Sequence, residues 1–230
     1  MASDKPSRIS FPPGTRLAVI DLDGTLLKGL NAERIFYSDL FVRGRVGALR
    51  MAGFLLSLIR DSVRLGLRKA IGSNARILHG QTPETVRGWA HAFGHTYLRK
   101  AVPEALRSKI LRLKAEGCRI ILLTGSLQVI VDELKDRLQA EIVIGTELEV
   151  EGGVLTGRKT GIFAYGPRKL DALYQRIDPE GIDWARSWAL ADRFSDLPVL
   201  ELVGHPVAVH ADRRLRRLAR KRGWEIIGRR

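Results

Sequence analysis

The sequence has very little cysteine and no long run of apolar residues. Cys118 is the single cysteine among 230 residues, so no internal disulfide can form, and we expect a cytoplasmic protein. The longest apolar stretch covers residues 51–59, whereas a membrane-spanning helix needs roughly 20 apolar residues. Residues 1–16 are polar and lack an apolar segment, so we expect a flexible N-terminal tail rather than a signal peptide.

Acidic residues are also scarce. The chain has 25 Asp and Glu against 39 Lys and Arg, which gives a formal net charge of +14. The excess is concentrated in residues 41–79 and 212–230, each of which carries a net charge of +7. Basic regions favour anionic partners, such as a phosphorylated substrate, an anionic lipid surface or a nucleic acid. The alternative is that these side chains only solvate helix faces.

Strand-like and helix-like segments alternate over most of the chain. Short apolar runs predict buried strands at 17–22, 119–123, 141–144, 187–190 and 206–209, with a last edge strand at 224–227. Amphipathic spacing predicts helices at 103–116, 129–138, 167–177, 195–203 and 212–222. Two strands joined at Gly152-Gly153 predict a hairpin over 146–161. This alternation predicts an α/β fold: a Rossmann-like parallel sheet with helices on both faces.

The segment 28–100 departs from this alternation, because no clear strand is found in it. We interpret it as an all-helical cap inserted after the first strand. The α/β catalytic core then consists of residues 17–27 and 101–230. A cap in this place would cover the carboxyl ends of the strands, where open α/β sheets bind ligands.

The first strand ends in an acidic motif, within "AVIDLDGTLLKG" at residues 18–29. Asp21 and Asp23 are two positions apart, so an extended chain points both side chains to one side. Two neighbouring carboxylates repel each other unless a cation or a shared proton relieves them. Mg²⁺ prefers such hard oxygen ligands and leaves room for a phosphate. An Asp-Gly turn is the purely structural alternative.

Three further groups of polar residues follow predicted strands or open helices. Thr124 and Gly125, with Ser126, end the second strand in "IILLTGS", and Lys169 opens a helix in "YGPRKL". Asp192 and Asp196 follow the fourth strand in "ALADRFSDLP". Hydroxyls, backbone N–H groups and a lysine suit phosphate oxygens, and the second acidic pair would complete a metal site. Taken singly, the lysine could face solvent, and either Ser195 or Asp196 could be a helix N-cap.

This order of motifs resembles the haloacid dehalogenase-like superfamily over nearly the whole chain. The resemblance is closest to subgroup IB, which has a small helical C1 cap and includes phosphoserine phosphatase. "TELEVEGGVLTG" and the stretch from "SDLPVLELVGHP" to "RKRGW" are typical of that subgroup. The resemblance implies an Mg²⁺-dependent phosphomonoester phosphatase that works through an aspartyl-phosphate intermediate.

The resemblance also implies residue roles. Asp21 is the nucleophile, and Asp23 protonates the leaving oxygen and then activates water. The phosphate is held by Thr124, Gly125 and Lys169. The Mg²⁺ ligands are Asp21, the backbone carbonyl of Asp23 and Asp192, with Asp196 in support.

Two departures from the usual pattern bear on metal and substrate. The fourth motif has Arg193 where the family usually has serine. Phosphoserine phosphatases usually carry serine where Gly24 stands, and a glutamate that grips the substrate ammonium where Leu30 stands. The missing glutamate counts against phosphoserine, although Glu33 could replace it.

The substrate is expected to be a small or lipid-linked phosphate. Residues 43–69 combine an apolar run with a basic stripe of Arg60, Arg64 and Arg68, which is typical of either a cap core or a helix on an anionic membrane. The resemblance adds one version of the second case, a phosphatidylglycerophosphate-like substrate, because some members of the family with a similar "TGS" motif act on that lipid phosphate. The alternatives are a phosphoserine phosphatase, a phosphotransferase, or a basic binding protein for membrane or nucleic acid with a vestigial site. Nucleic acid is the least favoured partner.

Overall fold

The computed structural model describes residues 8–29, 31–66 and 74–228. The strands form one sheet, with the order β4-β3-β2-β1-β5-β6-β7. β4 pairs antiparallel with β3, and the other neighbouring strands are parallel. The bounds are Arg16–Ile20 (β1), Cys118–Leu127 (β2), Ile142–Glu151 (β3), Val154–Thr160 (β4), Trp188–Ala191 (β5), His205–Val209 (β6) and Glu225–Ile227 (β7).

The helices lie between these strands in the chain. Their bounds are Ala32–Val42 (α1), Ala48–Leu65 (α2), Pro83–Phe93 (α3), Arg99–Ala101 (α4), Glu104–Ala115 (α5), Gln128–Val131 (α6), Arg168–Arg176 (α7), Leu197–Glu201 (α8) and Arg213–Arg222 (α9). Several begin at a side-chain cap: Asn31, Thr82 and Asp212 each accept from the backbone N–H three residues on. A π-helical turn, Gly94–Leu98, joins α3 to α4. Among the described residues, no helix is long and apolar enough to cross a membrane.

Both faces of the sheet are covered, as the predicted α/β class requires. Side chains alternate along β1, so Ala18 and Ile20 join one buried cluster while Leu17 and Val19 join another. The first cluster includes side chains of α1, α3, α5 and α6, and the second those of α7, α8 and α9. The predicted hairpin over 146–161 is confirmed, with β3 and β4 joined at Gly152-Gly153.

The structure differs from the sequence-based expectations at three places. β2 continues to Leu127, four residues beyond its predicted end, and so contains the Thr-Gly-Ser motif. The helix expected over 129–138 is short, because α6 ends at Val131 and a 3₁₀ turn follows. Residues 8–15 are not a loose tail: the backbone of Ile9 forms a bridge with Ile177, and the Phe11 side chain is buried in the second cluster. Residues 1–7 of the predicted tail lie outside the described residues.

Between β1 and β2 the described residues are mainly helical. The stretch after α2 packs on the hairpin, where the Ala75 N–H donates to Gly157 O and the Gly80 N–H to Leu155 O, both at 2.8 Å. The division into core and cap stays a prediction. Leu30 and residues 67–73, which include Arg68 of the predicted basic stripe, lie outside the described residues.

Candidate active site

The predicted site residues meet at one edge of the sheet. β1 lies between β2 and β5, so the carboxyl ends of these three parallel strands are adjacent. Asp21 directly follows β1, Thr124 lies near the end of β2, and Asp192 directly follows β5. Lys169, in the first turn of α7, reaches the same point. The topology therefore gathers residues that are far apart in the sequence.

Asp21 lies at the centre of a buried network. Its Oδ1 accepts from Lys169 Nζ at 2.6 Å, and its Oδ2 accepts from Thr25 Oγ1 at 2.9 Å. Lys169 Nζ also lies 3.1 Å from Asp196 Oδ2. Burial alone would lower the pKa of Lys169, but the carboxylates of Asp21 and Asp196 outweigh it and raise the pKa above its usual value. Lys169 is therefore a fixed positive charge beside Asp21.

Three carboxylates form a buried acidic cluster. Asp21, Asp192 and Asp196 each have an oxygen within 4.8 Å of the others. Burial raises the pKa of Asp192 to about 7, helped by the negative charge of Asp21. Burial likewise raises the pKa of Asp196 to about 6, although Lys169 opposes the rise. The cluster carries more negative charge than one lysine can balance.

The donor set of this cluster fits a divalent cation. Asp192 Oδ1 is buried and has no hydrogen-bond partner among the described residues, which is costly for an ionised oxygen. Hard carboxylate oxygens are the ligands that Mg²⁺ prefers, and a bound cation would satisfy this oxygen and lower the raised pKa values. The Asp23 carboxylate is not one of the clustered groups.

The Asp23 side chain is held by its own set of hydrogen bonds. Oδ2 accepts from Ser126 Oγ at 2.6 Å and more weakly from Thr124 Oγ1 at 3.4 Å, while Oδ1 accepts from the Ala32 N–H at 2.7 Å. Burial raises the pKa of Asp23 to about 6, and the hydrogen bonds from Ser126 and Ala32 oppose the rise. A carboxyl with a pKa near 6 can both donate and accept a proton near neutral pH.

At two glycines near this edge of the sheet, the backbone lies so close to a neighbouring side chain that a Cβ atom would not fit. Gly24 has a φ of +89°, and a Cβ there would overlap the Asp192 carboxylate. This excludes a serine at position 24 in the present arrangement. A Cβ on Gly125 would lie 2.8 Å from the Phe163 ring. Thr124 itself is fully buried, and its Oγ1 accepts from the Ser126 N–H at 3.1 Å.

Comparison with known proteins decides the family. A family model described as haloacid dehalogenase-like hydrolase matches residues 18–201, which is most of the chain. The chain belongs to the haloacid dehalogenase-like hydrolases. It is 28% identical over 221 residues to phosphoserine phosphatase SerB1 of Mycobacterium tuberculosis (strain H37Rv), covering 92% of this chain and 70% of that protein. Relatives that are named phosphoserine phosphatases indicate that this haloacid dehalogenase-like hydrolase is a phosphatase.

Solved structures agree on the fold. A protein of unknown function from Bordetella pertussis Tohama I superposes with a TM-score of 0.79 at 24% identity, covering 94% of this chain and 99% of that one. A phosphoserine phosphatase in the apo form superposes with a TM-score of 0.61 at 19% identity, covering 94% of both chains. Both likenesses show the haloacid dehalogenase-like fold.

Arg193 departs from the usual haloacid dehalogenase-like motif, and it lies at the rim of the site. Its Nε is 3.7 Å from Asp192 Oδ2, and its side chain is 47% exposed. The positive charge lowers the pKa of Asp192 in part, although burial dominates. The guanidinium therefore faces both the acidic cluster and solvent.

The Glu33 carboxylate already has two partners within the protein. It accepts from Tyr37 Oη at 2.8 Å and pairs with Lys159 Nζ at 2.6 Å.

Sequence reasoning missed two residues here. The "TGS" pattern places Ser126 at the end of the second strand but does not identify it as the partner of Asp23, although its hydroxyl is the available signal. Lys159 gave no signal, because one lysine in a hairpin is ordinary.

Proposed function

We propose that this phosphatase hydrolyses phosphomonoesters with Asp21 as the nucleophile. The observation that carries the proposal is the environment of Asp21: Lys169 and Thr25 hold its two oxygens, and the carboxylates of Asp192 and Asp196 stand beside it. Such a site places a nucleophile, a fixed cation and a set of hard oxygen ligands at one strand end. That combination suits transfer of a phosphoryl group.

The reaction proceeds in two steps. A carboxylate oxygen of Asp21 attacks phosphorus, and the ester P–O bond breaks as Asp23 gives its proton to the leaving oxygen. Asp23, now ionised, then takes a proton from water, and the resulting hydroxide attacks phosphorus and releases phosphate from Asp21. The raised pKa of Asp23 suits both roles, because the group changes its protonation state near neutral pH.

The remaining residues bind the phosphoryl group and the metal. Thr124, Gly125 and Lys169 hold phosphoryl oxygens. A bound Mg²⁺ would neutralise negative charge on the phosphoryl group during transfer. The residues that would hold it are Asp21, Asp23 through its backbone carbonyl, and Asp192, with Asp196 in support. We propose that the catalytic core comprises residues 17–27 and 101–230, and that residues 28–100 are the helical cap over it.

The substrate that we propose is a phosphorylated small molecule other than phosphoserine. SerB1 is named a phosphoserine phosphatase, but Glu33 of this chain is held by Lys159 and Tyr37 and is not free to grip a substrate ammonium. A phosphotransferase that passes the phosphoryl group to an alcohol would use the same first step. Product analysis separates the two, since only hydrolysis releases inorganic phosphate.

The direct experiment is a panel of alkyl, aryl and amino-acid phosphates assayed for phosphate release with Mg²⁺ and with EDTA. We expect turnover that needs Mg²⁺ and that Asp21→Asn abolishes, because the amide cannot attack phosphorus. A matched control is Asp136→Asn, since Asp136 is exposed and lies in a turn outside the site. Hydrolysis that survives EDTA, or an active Asp21→Asn protein, would refute the proposal.

Helix α2 favours a second candidate function, contact with an anionic membrane. One side of the helix packs on the body of the protein through Phe54 and Ser57, which are buried. Several large apolar side chains of the helix face solvent: Leu49, Leu55, Leu56, Ile59 and Val63. Arg60, which pairs with Asp61 at 2.9 Å, and Arg64 are exposed beside them at a spacing of four residues. An exposed apolar face with a basic edge is typical of helices that lie on anionic bilayers.

Charge decides between a bilayer and a second copy of the chain. In a symmetric dimer through this face, the arginines of both copies would be brought together, whereas anionic headgroups would neutralise them. A substrate in this case would be a lipid-linked phosphate. Binding to anionic vesicles by co-sedimentation tests the proposal.

Replacing Arg60 and Arg64 by Gln should weaken vesicle binding about thirtyfold, because each arginine contributes about 1 kcal/mol near such a surface. Arg213→Gln/Arg217→Gln, on α9, is the matched control with the same loss of charge. Absence of binding at low salt would refute the membrane contact, and a concentration-dependent dimer would assign the face to a second copy.

A further inference from the structure

The Asp23 carboxylate is held from two parts of the fold. Ser126 on β2 donates to Oδ2, and the Ala32 N–H at the start of α1 donates to Oδ1. β2 belongs to the sheet, but α1 belongs to the helical segment inserted after β1. The orientation of Asp23 therefore depends on where the first turn of α1 lies relative to the sheet.

A contact one residue further along fixes that first turn. Glu33 of α1 pairs with Lys159 of β4, with Nζ 2.6 Å from Oε1 and 2.9 Å from Oε2. The Lys159 side chain is 1% exposed and that of Glu33 is 10% exposed. Tyr37, one turn along α1, donates to Glu33 Oε1. The pair joins the inserted segment to the antiparallel edge of the sheet.

We propose that the Lys159–Glu33 ion pair is a positioning device for Asp23. The pair anchors the first turn of α1 on β4 and thereby keeps the Ala32 N–H against Asp23 Oδ1. This inference rests on the proposed function, because it assigns proton transfer to Asp23. Neither Lys159 nor Glu33 touches the reacting atoms, so both are positioning residues.

The energetics of buried ion pairs favour a role of the Lys159–Glu33 pair in positioning over a role in stability alone. The cost of removing two charges from water offsets much of the attraction in a buried ion pair, so such pairs are weak stabilising devices. A buried bidentate pair does fix distance and direction between two elements. A proton donor needs that precision, since a displacement of about 1 Å at a reacting group can cost about a hundredfold in rate.

The test is the dependence of the rate on the leaving group. An aryl oxide leaves with little help from a proton, whereas an alkyl oxide needs the acid. Lys159→Met should therefore lower kcat/KM for an alkyl phosphate about tenfold or more relative to an aryl phosphate. Hydrogen exchange at the Ala32 amide should become faster in the same variant, because that N–H loses its fixed partner. Lys159→Arg, which can keep the ion pair, should restore both.

Two further variants keep the test decisive. Lys159→Met leaves a buried Glu33 charge unpaired and can fail to fold, so Lys159→Met/Glu33→Gln removes both charges and should show the same altered ratio. Arg158→Met is the matched control, because Arg158 lies next to Lys159 on β4 but pairs with Glu149 on the surface. It should keep the wild-type ratio.

A folded variant without the ion pair that keeps the wild-type ratio of alkyl to aryl hydrolysis would overturn the inference. Hydrogen exchange at the Ala32 amide that keeps its wild-type rate in such a variant would also overturn the inference. A wild-type protein that hydrolyses neither ester would refute the proposed function instead, and the amide exchange alone would then decide whether the ion pair anchors α1.

Discussion

Replacing Asp192 by Asn should stabilise the metal-free protein at high pH while it removes activity. Asp192 is 2% exposed, and within the part of the chain that the structure describes its Oδ1 has no hydrogen-bond partner. Burial and the charge of Asp21 raise its pKa from 3.8 to about 7. Because the folded state holds the proton more tightly than the unfolded chain, ionisation of Asp192 opposes folding, and the cost grows as pH rises from about 4 to about 7.

The size of the effect follows from that pKa. A rise of about three in pKa corresponds to about 4 kcal/mol of destabilisation once the pH exceeds 7. At pH 5 the same relation gives only about 1.5 kcal/mol. Asn carries no charge, although its amide must still find partners at either pH. The advantage of the variant in free energy of unfolding should thus be larger at pH 8 than at pH 5 by about 2 to 3 kcal/mol.

Urea denaturation in EDTA at pH 5 and pH 8 measures this difference, and Asp136→Asn, on the surface, is the control. Mg²⁺ should raise the stability of the wild-type protein more at pH 8 than at pH 5, because the metal competes with protons for the same carboxylates. The variant should lose most of that response. If the free energy of unfolding changes equally between pH 5 and pH 8 in the wild type and in Asp192→Asn, ionisation of Asp192 does not oppose folding, and the reasoning is refuted.

Three further outcomes are expected. Asp23→Asn should lower kcat/KM for alkyl phosphates about a hundredfold or more and kcat/KM for aryl phosphates much less. An equal loss of kcat/KM for both kinds of ester would show that Asp23 has only a structural role. Lys169→Met should abolish activity and lower the free energy of unfolding by about 3 to 5 kcal/mol in urea titrations, because Asp21 and Asp196 lose their buried cation; wild-type stability would contradict this. Ser126→Ala should raise the pKa of Asp23, since its hydrogen bond favours the ionised form, and should move the alkaline limb of the pH–rate profile for alkyl phosphates upward by about one pH unit; an unmoved limb would contradict it.

Much of the fold follows from patterns that act over short distances. The apolar runs at β1, β2 and β5, and the Gly152-Gly153 turn, each carry local information, and the parallel sheet follows from their alternation with helices. Because carboxyl ends of neighbouring parallel strands share one edge, the sequence also predicted that Asp21, Thr124 and Asp192 would meet. The structure places them there.

The missed features depend on packing between distant segments. Ile9 forms a bridge with Ile177 although its two neighbours in the sequence are polar, and no periodic pattern distinguishes this segment from a loose tail. The Lys159–Glu33 pair joins residues 126 positions apart. Each residue alone is indistinguishable from a surface charge, so only the tertiary arrangement shows that the pair is buried.

Trapping the covalent intermediate tests the central claim most directly. An aryl phosphate is turned over with Mg²⁺, the reaction is quenched in acid, and the acyl phosphate is reduced with borohydride before peptide mapping. The account predicts that Asp21, in the peptide from Leu17 to Lys28, is converted to homoserine, and that Asp23→Asn accumulates more of the modified peptide because water is activated less well. An enzyme that turns over without any modification of Asp21, or with the phosphoryl group on another residue, would contradict the account.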